Sequence, residues 1–374
     1  MLKVAIVGCG KIADQHAEQI VLISGCEIVG VCDREELMAR QLQERLNVGA
    51  YFTGVQDLLD KAKPDVVHIT TPPQSHYPLG KLCLQAGCHV YIEKPFTVNA
   101  AEAENLISLA EHKNLKLTVG HNAQFTHAAV RMRRLVEEGY LGGPPVHLES
   151  YYCYDLRDAG YAKALLGDSH HWVRKLPGGL LQNVISHGIS KIAEFLTGDS
   201  PEVVAYGFTS PLLRNIGETE IIDELRVILH DDVTTAYFTF SSQMRPSLHQ
   251  LRLFGPRNGL VMDDDQLTVI RVKGSRYKSY LEQFVPPWDY AKQYIGNSLG
   301  NMTKFLKVDF QTGYSMKVLI RSFYRSITDG LPLPIPYKEI LRTSRIMDEI
   351  FSQLSSAQNA MRAGHSRNVP VERW

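Results

Sequence analysis

Gly8-Cys9-Gly10-Lys11-Ile12-Ala13 reads G-x-G-x-x-A, directly after an apolar run at 2–7 and at the start of a helical segment. In such a turn the first glycine allows a tight reversal. The second leaves the backbone open to a pyrophosphate, and small Ala13 lets the helix pack on a sheet. The first helical amides, at Lys11 and Ile12, then point at anionic phosphates. Asp33 closes the next strand-like run. Its carboxylate suits ribose hydroxyls and repels a 2′-phosphate, which favours NAD. Arg34 follows at once and could stack on adenine or pair with such a phosphate, so NADP stays open.

Two later turns belong at the same edge, because ligands of parallel sheets bind outside the carboxyl ends of the strands. Thr70-Thr71-Pro72-Pro73 holds an extended turn against the nicotinamide half, and His76 follows it, either as a further cofactor contact or as a helix-start histidine that packs or caps. Glu93-Lys94-Pro95 ends the run at 88–92. An ammonium there could donate to a substrate hydroxyl or carbonyl oxygen and stabilise the charge that develops as hydride moves. Partial desolvation would also lower its pKa enough to relay a proton.

These turns need a parallel sheet to hold them. Up to about residue 120 apolar runs at 2–7, 27–32, 65–70, 88–92 and 115–120 alternate with helical segments at 11–24, 34–46, 76–86 and 99–112. Runs apolar along their whole length predict strands covered on both faces. A helix at 128–138 follows, then strand-like segments at 146–154, 203–208, 221–229, 234–240, 248–254 and 267–272, with a helix at 184–196 between the first two. Strands in succession, joined by short turns, predict an antiparallel sheet. Helices close the chain near 317–329 and 337–354, with a polar, extended tail beyond 358, and 288–313 reads as a loop over a site or a subunit contact. The expected architecture is α/β: a Rossmann doubly wound parallel sheet at 1–120, then an α+β domain at 121–374 with an open, mostly antiparallel sheet.

Forty basic residues balance forty acidic ones, so no global field recruits nucleic acid or a membrane surface. No apolar run is long enough to span a bilayer, and the N-terminus lacks the three regions of a signal peptide. Six cysteines without a C-x-x-C pair read as buried free thiols in a cytoplasmic protein.

Taken in series, Gly8–Ala13, Asp33, Thr70–Pro73 and Glu93–Pro95 resemble the Gfo/Idh/MocA family of NAD(P)-dependent oxidoreductases, which takes its name from glucose–fructose oxidoreductase, inositol dehydrogenase and a rhizopine catabolism protein. The resemblance implies that Lys94 is the catalytic lysine and that the Lys94–Pro95 bond is cis. Its second signature is a glycine turn, then a helix with an acidic residue and a histidine one turn apart. This chain has Pro177-Gly178-Gly179, then Asn183 and His187, four apart and so on one helix face. His187 is the natural general base for a hydroxyl proton. Asn183 stands where aspartate is common: an amide orients a hydroxyl but takes no proton. His121-Asn122-Ala123-Gln124-Phe125 lacks the arginine pair of many relatives, which suggests a different substrate.

Candidate substrate contacts are Asn122, Tyr152, Tyr154, His170, His171, Trp172 and Lys175, whose polar groups and aromatic faces suit a polyol ring. Asp168, His170 and His171 lack a standard ligand spacing, so no metal is expected. The expected activity is hydride transfer between NAD(P) and a secondary alcohol or ketone of a sugar, cyclitol or sugar derivative. The alternatives are an enzyme that retains NAD and oxidises transiently for elimination or hydrolysis, and a non-catalytic dinucleotide-binding regulator. Alternating residues at 233–241 predict one covered sheet face, hence a homodimer or homotetramer.

Overall fold

The computed structural model describes residues 1–156, 166–168, 170–274, 277–278, 280–306 and 313–367, with side chains through 357. The first sheet is wholly parallel: β1 (Leu2–Val7), β2 (Cys26–Cys32), β3 (Ala50–Phe52), β4 (Val66–Ile69), β5 (His89–Ile92) and β6 (Leu117–Val119), in the order β3-β2-β1-β4-β5-β6. Its helices are α1 (Lys11–Val21), α2 (Glu36–Leu46), α3 (Val55–Ala62), α4 (His76–Gln85) and α5 (Ala100–His112). Val4, Ala5 and Ile6 have no exposed surface, as a central strand covered on both faces requires. The Asn99 side chain accepts from the Glu102 amide and so caps α5. Sequence patterning passed over β3 and α3, a three-residue edge strand and a helix of two turns.

After α6 (His127–Glu137), a second sheet runs β13-β12-β11-β7-β10-β9-β8. Its strands are β7 (His147–Asp155), β8 (Glu202–Phe208), β9 (Glu224–His230), β10 (Thr235–Ser241), β11 (Gln243–Phe254), β12 (Asn258–Asp263) and β13 (Thr268–Lys273). All pairs are antiparallel except β7 with β10. The helical segments α7 (Gly179–Val184) and α8 (Ser186–Ala193) follow β7, and a short α9 (Pro211–Arg214) lies between β8 and β9. One face of the sheet meets α8, where Gly188 lies so close to the Phe238 ring that a Cβ would stand 2.3 Å from it. The other face is open: Val204, Ile228 and Tyr237 lie in register across three strands and are 63%, 45% and 43% exposed.

Four expectations are corrected. The 288–313 segment is not a loop through residue 306: α10 (Val285–Leu306) runs along β13, with the Gln293 amide bonded to Arg271 O at 3.1 Å and the Asn297 amide to Val269 O at 3.2 Å. Gly296 and Gly300 obscured it, since each costs a helix about 1 kcal/mol against alanine and packing on β13 overrides that. Residues 307–312 lie outside the described part. The chain beyond 358 is not extended: α12 (Tyr337–Arg367) continues to Arg367, and 368–374 lie outside the described part. The helix expected at 184–196 starts at Gly179, is interrupted at Ile185 and ends at Ala193. Finally, 121–374 is not one unit. α11 (Tyr314–Thr328) and the start of α12 return to the first core, where Leu319, Ile320 and Phe323 have no exposed surface. Burying that apolar face against the parallel sheet outweighs nearness in sequence.

Candidate active site

The glycine turn is built by contact as well as by dihedral angle. Gly8 has φ +97°, and a Cβ there would stand 2.7 Å from Thr71 Cγ2 and 2.9 Å from the Thr70 carbonyl carbon. The Thr70 hydroxyl donates to Gly8 O at 2.6 Å, which locks the two loops together. Asp33 Oδ2 accepts from the Cys9 amide at 2.8 Å and Oδ1 from the Glu35 amide at 3.0 Å. The carboxylate thus shapes the turn and still has lone pairs for a ligand. A Cβ on Gly10 would meet nothing within 4 Å, and α1 starts at Lys11 without a side-chain cap. Open space before an uncapped helix N-terminus fits a pyrophosphate. Ile12 is partly buried and Ala13 fully, while Arg34 and Pro72 are exposed at the rim.

His76 is corrected. It has no exposed surface, and its Nδ1 lies 2.9 Å from Pro95 O and its Nε2 2.8 Å from Thr71 O. It braces the Thr70–Pro73 turn against the Lys94–Pro95 turn from beneath.

Lys94 and the helix from the second domain meet. The Lys94–Pro95 bond is cis, and Lys94 Nζ donates to Asn183 O at 3.0 Å. One close contact and one backbone angle aim α7 and α8 at this point. Gly178 lies where a Cβ would stand 2.4 Å from the Phe351 ring, and Gly179 takes φ +52°. The turn therefore tolerates no ordinary residue at the first position and strains one at the second. Buried Gln182 then ties α7 to the Lys94 loop, accepting from the Gly178 amide at 3.0 Å and donating to Val98 O at 2.9 Å. Ile185, between the segments, keeps right-handed helical angles, which leaves Asn183 and His187 one turn apart.

His187 Nδ1 is buried with no hydrogen-bond partner among the described residues. Burial, then the Lys94 ammonium, then His121, Lys191 and His249 hold its pKa well below the ordinary histidine range. The imidazole is therefore neutral near pH 7, with a free nitrogen in a polar enclosure. Burial lowers the Lys94 pKa while Glu93 pushes back. His121 is pushed down to about 4, by burial first, with Glu93 opposing and Lys94 adding to it. One neutral imidazole beside one ammonium can exchange a proton with, and donate a hydrogen bond to, the same bound hydroxyl.

Of the proposed substrate residues, Tyr152 lies 5.7 Å from His187 between ring centroids, and Tyr154 lines an adjoining cavity of about 480 Å³. The Trp172 carbonyl accepts from Gln74 at 3.3 Å, beside the Thr70–Pro73 turn, and Asn122 opens the short turn after His121. The His171 Nδ1 accepts from the Val173 amide. His170 and Lys175 are exposed. Sequence reasoning missed His249, which sits 4.7 Å from the Tyr152 ring and bonds Asp265 at 2.7 Å, and it missed Gln182. Only the pairing of His249 with Tyr152 across β11 and β7 would have revealed His249. All six cysteines are free, and burial pushes the Cys9 thiol to about 12 and Cys32 and Cys88 to about 11.

Residues 2–121 match the family model described as "Oxidoreductase family, NAD-binding Rossmann fold", GFO_IDH_MocA. Over these residues the chain is similar to the NAD-binding domain of the Gfo/Idh/MocA family. It is 34% identical over 149 residues to UDP-N-acetylglucosamine 3-dehydrogenase of Acidithiobacillus ferrooxidans, covering 40% of this chain and 44% of that one. It is 32% identical over 142 residues to D-glucoside 3-dehydrogenase of Escherichia coli, covering 38% and 40%. The match spans less than half the length of these relatives. The fold matches across the whole chain: the WlbA dehydrogenase of Bordetella pertussis, solved with NADH and UDP-GlcNAcA, superposes with a TM-score of 0.75 at 14% identity over 95% of this chain and 96% of that one. Among the described residues no helix is long and apolar enough to cross a membrane.

Proposed function

We propose that this chain is an NAD-dependent dehydrogenase of the Gfo/Idh/MocA kind that interconverts a secondary alcohol and a ketone on a sugar, cyclitol or sugar derivative. The observation that carries this is the bond from Lys94 Nζ to Asn183 O, which joins the end of β5 to the segment bearing His187. When bound, NAD supplies the hydride acceptor. Lys94 donates to the reacting oxygen, His187 takes its proton through a free ring nitrogen, and Asn183 orients the ring. Asp33 and the open space at Gly10 suit the ribose and pyrophosphate. Tyr152, Tyr154 and His249 form the aromatic wall expected for a polyol. The names of the relatives, dehydrogenases of a glucoside and of UDP-N-acetylglucosamine, support the same substrate class.

A panel of sugars, cyclitols and nucleotide sugars, assayed for NADH and NADPH formation, tests this. At least one member should reduce NAD faster than NADP. Absence of reduction across the panel, together with no NADH binding by fluorescence titration, would end the proposal.

The open face bearing Val204, Ile228 and Tyr237 supports a homodimer or homotetramer, since so regular an apolar row is costly to leave in water. Sedimentation velocity at micromolar concentration should show no monomer. A purely monomeric boundary would overturn the assignment.

A further inference from the structure

From Glu93, whose carboxylate accepts from the Lys94 amide at 3.1 Å, runs a line of buried polar side chains that the proposed chemistry leaves unused. Glu93 Oε1 lies 2.9 Å from His16 Nε2, His16 Nδ1 lies 2.8 Å from His68 Nδ1, and His68 Nε2 lies 2.9 Å from the Tyr324 hydroxyl. His16 comes from α1, His68 from β4 and Tyr324 from α11. Neither histidine has exposed surface. The Tyr91 ring stacks on His68 at 4.6 Å and 5°, which holds that imidazole in place. Four elements have thus converged to enclose two imidazoles in a core that apolar side chains could have filled.

With both imidazoles neutral, the ends of the line determine the direction of every bond in it. An ionised carboxylate only accepts, and a neutral imidazole carries one N–H. An ionised Glu93 therefore requires the proton of His16 on Nε2. His16 Nδ1 is then a lone pair, so His68 must carry its proton on Nδ1. His68 Nε2 is then an acceptor, and the Tyr324 hydroxyl donates to it. Every link is satisfied with both imidazoles neutral. Reversing a single link sets two protons or two lone pairs face to face, a costly fault without water. Reversing all of them demands a protonated Glu93 and leaves the Tyr324 proton without an acceptor among the described residues.

We propose that Tyr324, His68 and His16 are positioning residues: one hydrogen-bonded chain, all of its protons directed at Glu93, that keeps this carboxylate ionised beneath Lys94 and so retains the lysine as an ammonium. The proposal rests on Lys94 acting beside the reacting oxygen. The electrostatics agree. Burial raises the Glu93 pKa, but the hydrogen bond from His16, with the Lys94 charge and amide, outweighs it and brings it below the ordinary value. Burial above all keeps the His68 pKa well below its own ordinary value, so that imidazole is neutral. The other titratable groups around Glu93 are His76 from α4, Tyr91 from β5 and His121 after β6. Those around Lys94 are Glu93, His121 and His187.

Neutron diffraction on the perdeuterated full chain reads the pattern directly. Deuterium should appear on His16 Nε2 and His68 Nδ1 and be missing from His16 Nδ1 and His68 Nε2. Deuterium on His16 Nδ1 overturns the chain. This result is independent of turnover, so it separates failure of the chain from failure of the dehydrogenase assignment. The pH profile of kcat/KM then tests the link to Lys94. His16→Leu removes the donor to Glu93, so the alkaline limb should move to lower pH by on the order of one unit. His16→Gln, which keeps an N–H donor, should restore the wild-type limb. A His16→Leu profile that falls in amplitude with its limb unmoved shows a merely structural role and overturns the proposal. Should the leucine variant not fold, the neutron map decides.

Discussion

Lys94→Met should lower kcat/KM about 10²–10³-fold, the usual consequence of deleting one preorganised donor to a reacting oxygen, with NADH binding by fluorescence titration close to wild type. Methionine keeps the length and apolar stem of lysine and removes only the ammonium. The lost bond to Asn183 O is one contact among several that seat α7, since Gln182 still ties it to Val98 and Gly178 still packs on Phe351. Structure should therefore survive while charge stabilisation is lost. A variant that loses NADH affinity in step with turnover would assign Lys94 to cofactor binding instead, and one with full turnover would remove it from the chemistry.

His187→Asn should cost about 10²–10⁴-fold in kcat for alcohol oxidation, the range for loss of a general base, with a smaller change in KM. The wild-type pH profile gives a second reading of the same group. Oxidation requires the imidazole unprotonated, so activity falls as pH drops through its pKa. Burial and the neighbouring Lys94 ammonium place that pKa well below the usual range, so the acid limb of kcat/KM should lie below about 6.5. The two sites are also coupled. Because the ammonium lowers the His187 pKa, Lys94→Met should move the acid limb of its residual activity upward. An acid limb at or above the free-histidine value in the wild type, or one unmoved in Lys94→Met, would show that another group accepts the proton.

The local pattern of the chain was enough for the dinucleotide half. A strand buried on both faces is a continuous apolar run, a glycine turn has its own spacing, and Asn99 announces a helix by the hydrogen bond it accepts. These are short-range requirements, so Gly8, Gly10, Asp33 and Lys94 could be placed on the correct turns without knowing the fold. Whatever depended on distant partners was not legible. The pairing of β7 with β10 and β11, which brings Tyr152 to His249, joins strands far apart in sequence. The return of α11 to the first core, which delivers Tyr324 to His68, spans 256 residues. His76 shows the same division: its position after a strand-end turn left a cofactor contact and a packing role both open, and only the packing of two loops around it revealed a buried brace. Local sequence sets which conformations a segment can take, while burial of one segment by another decides which side chains lose water and meet. Catalytic environments are made by that second step.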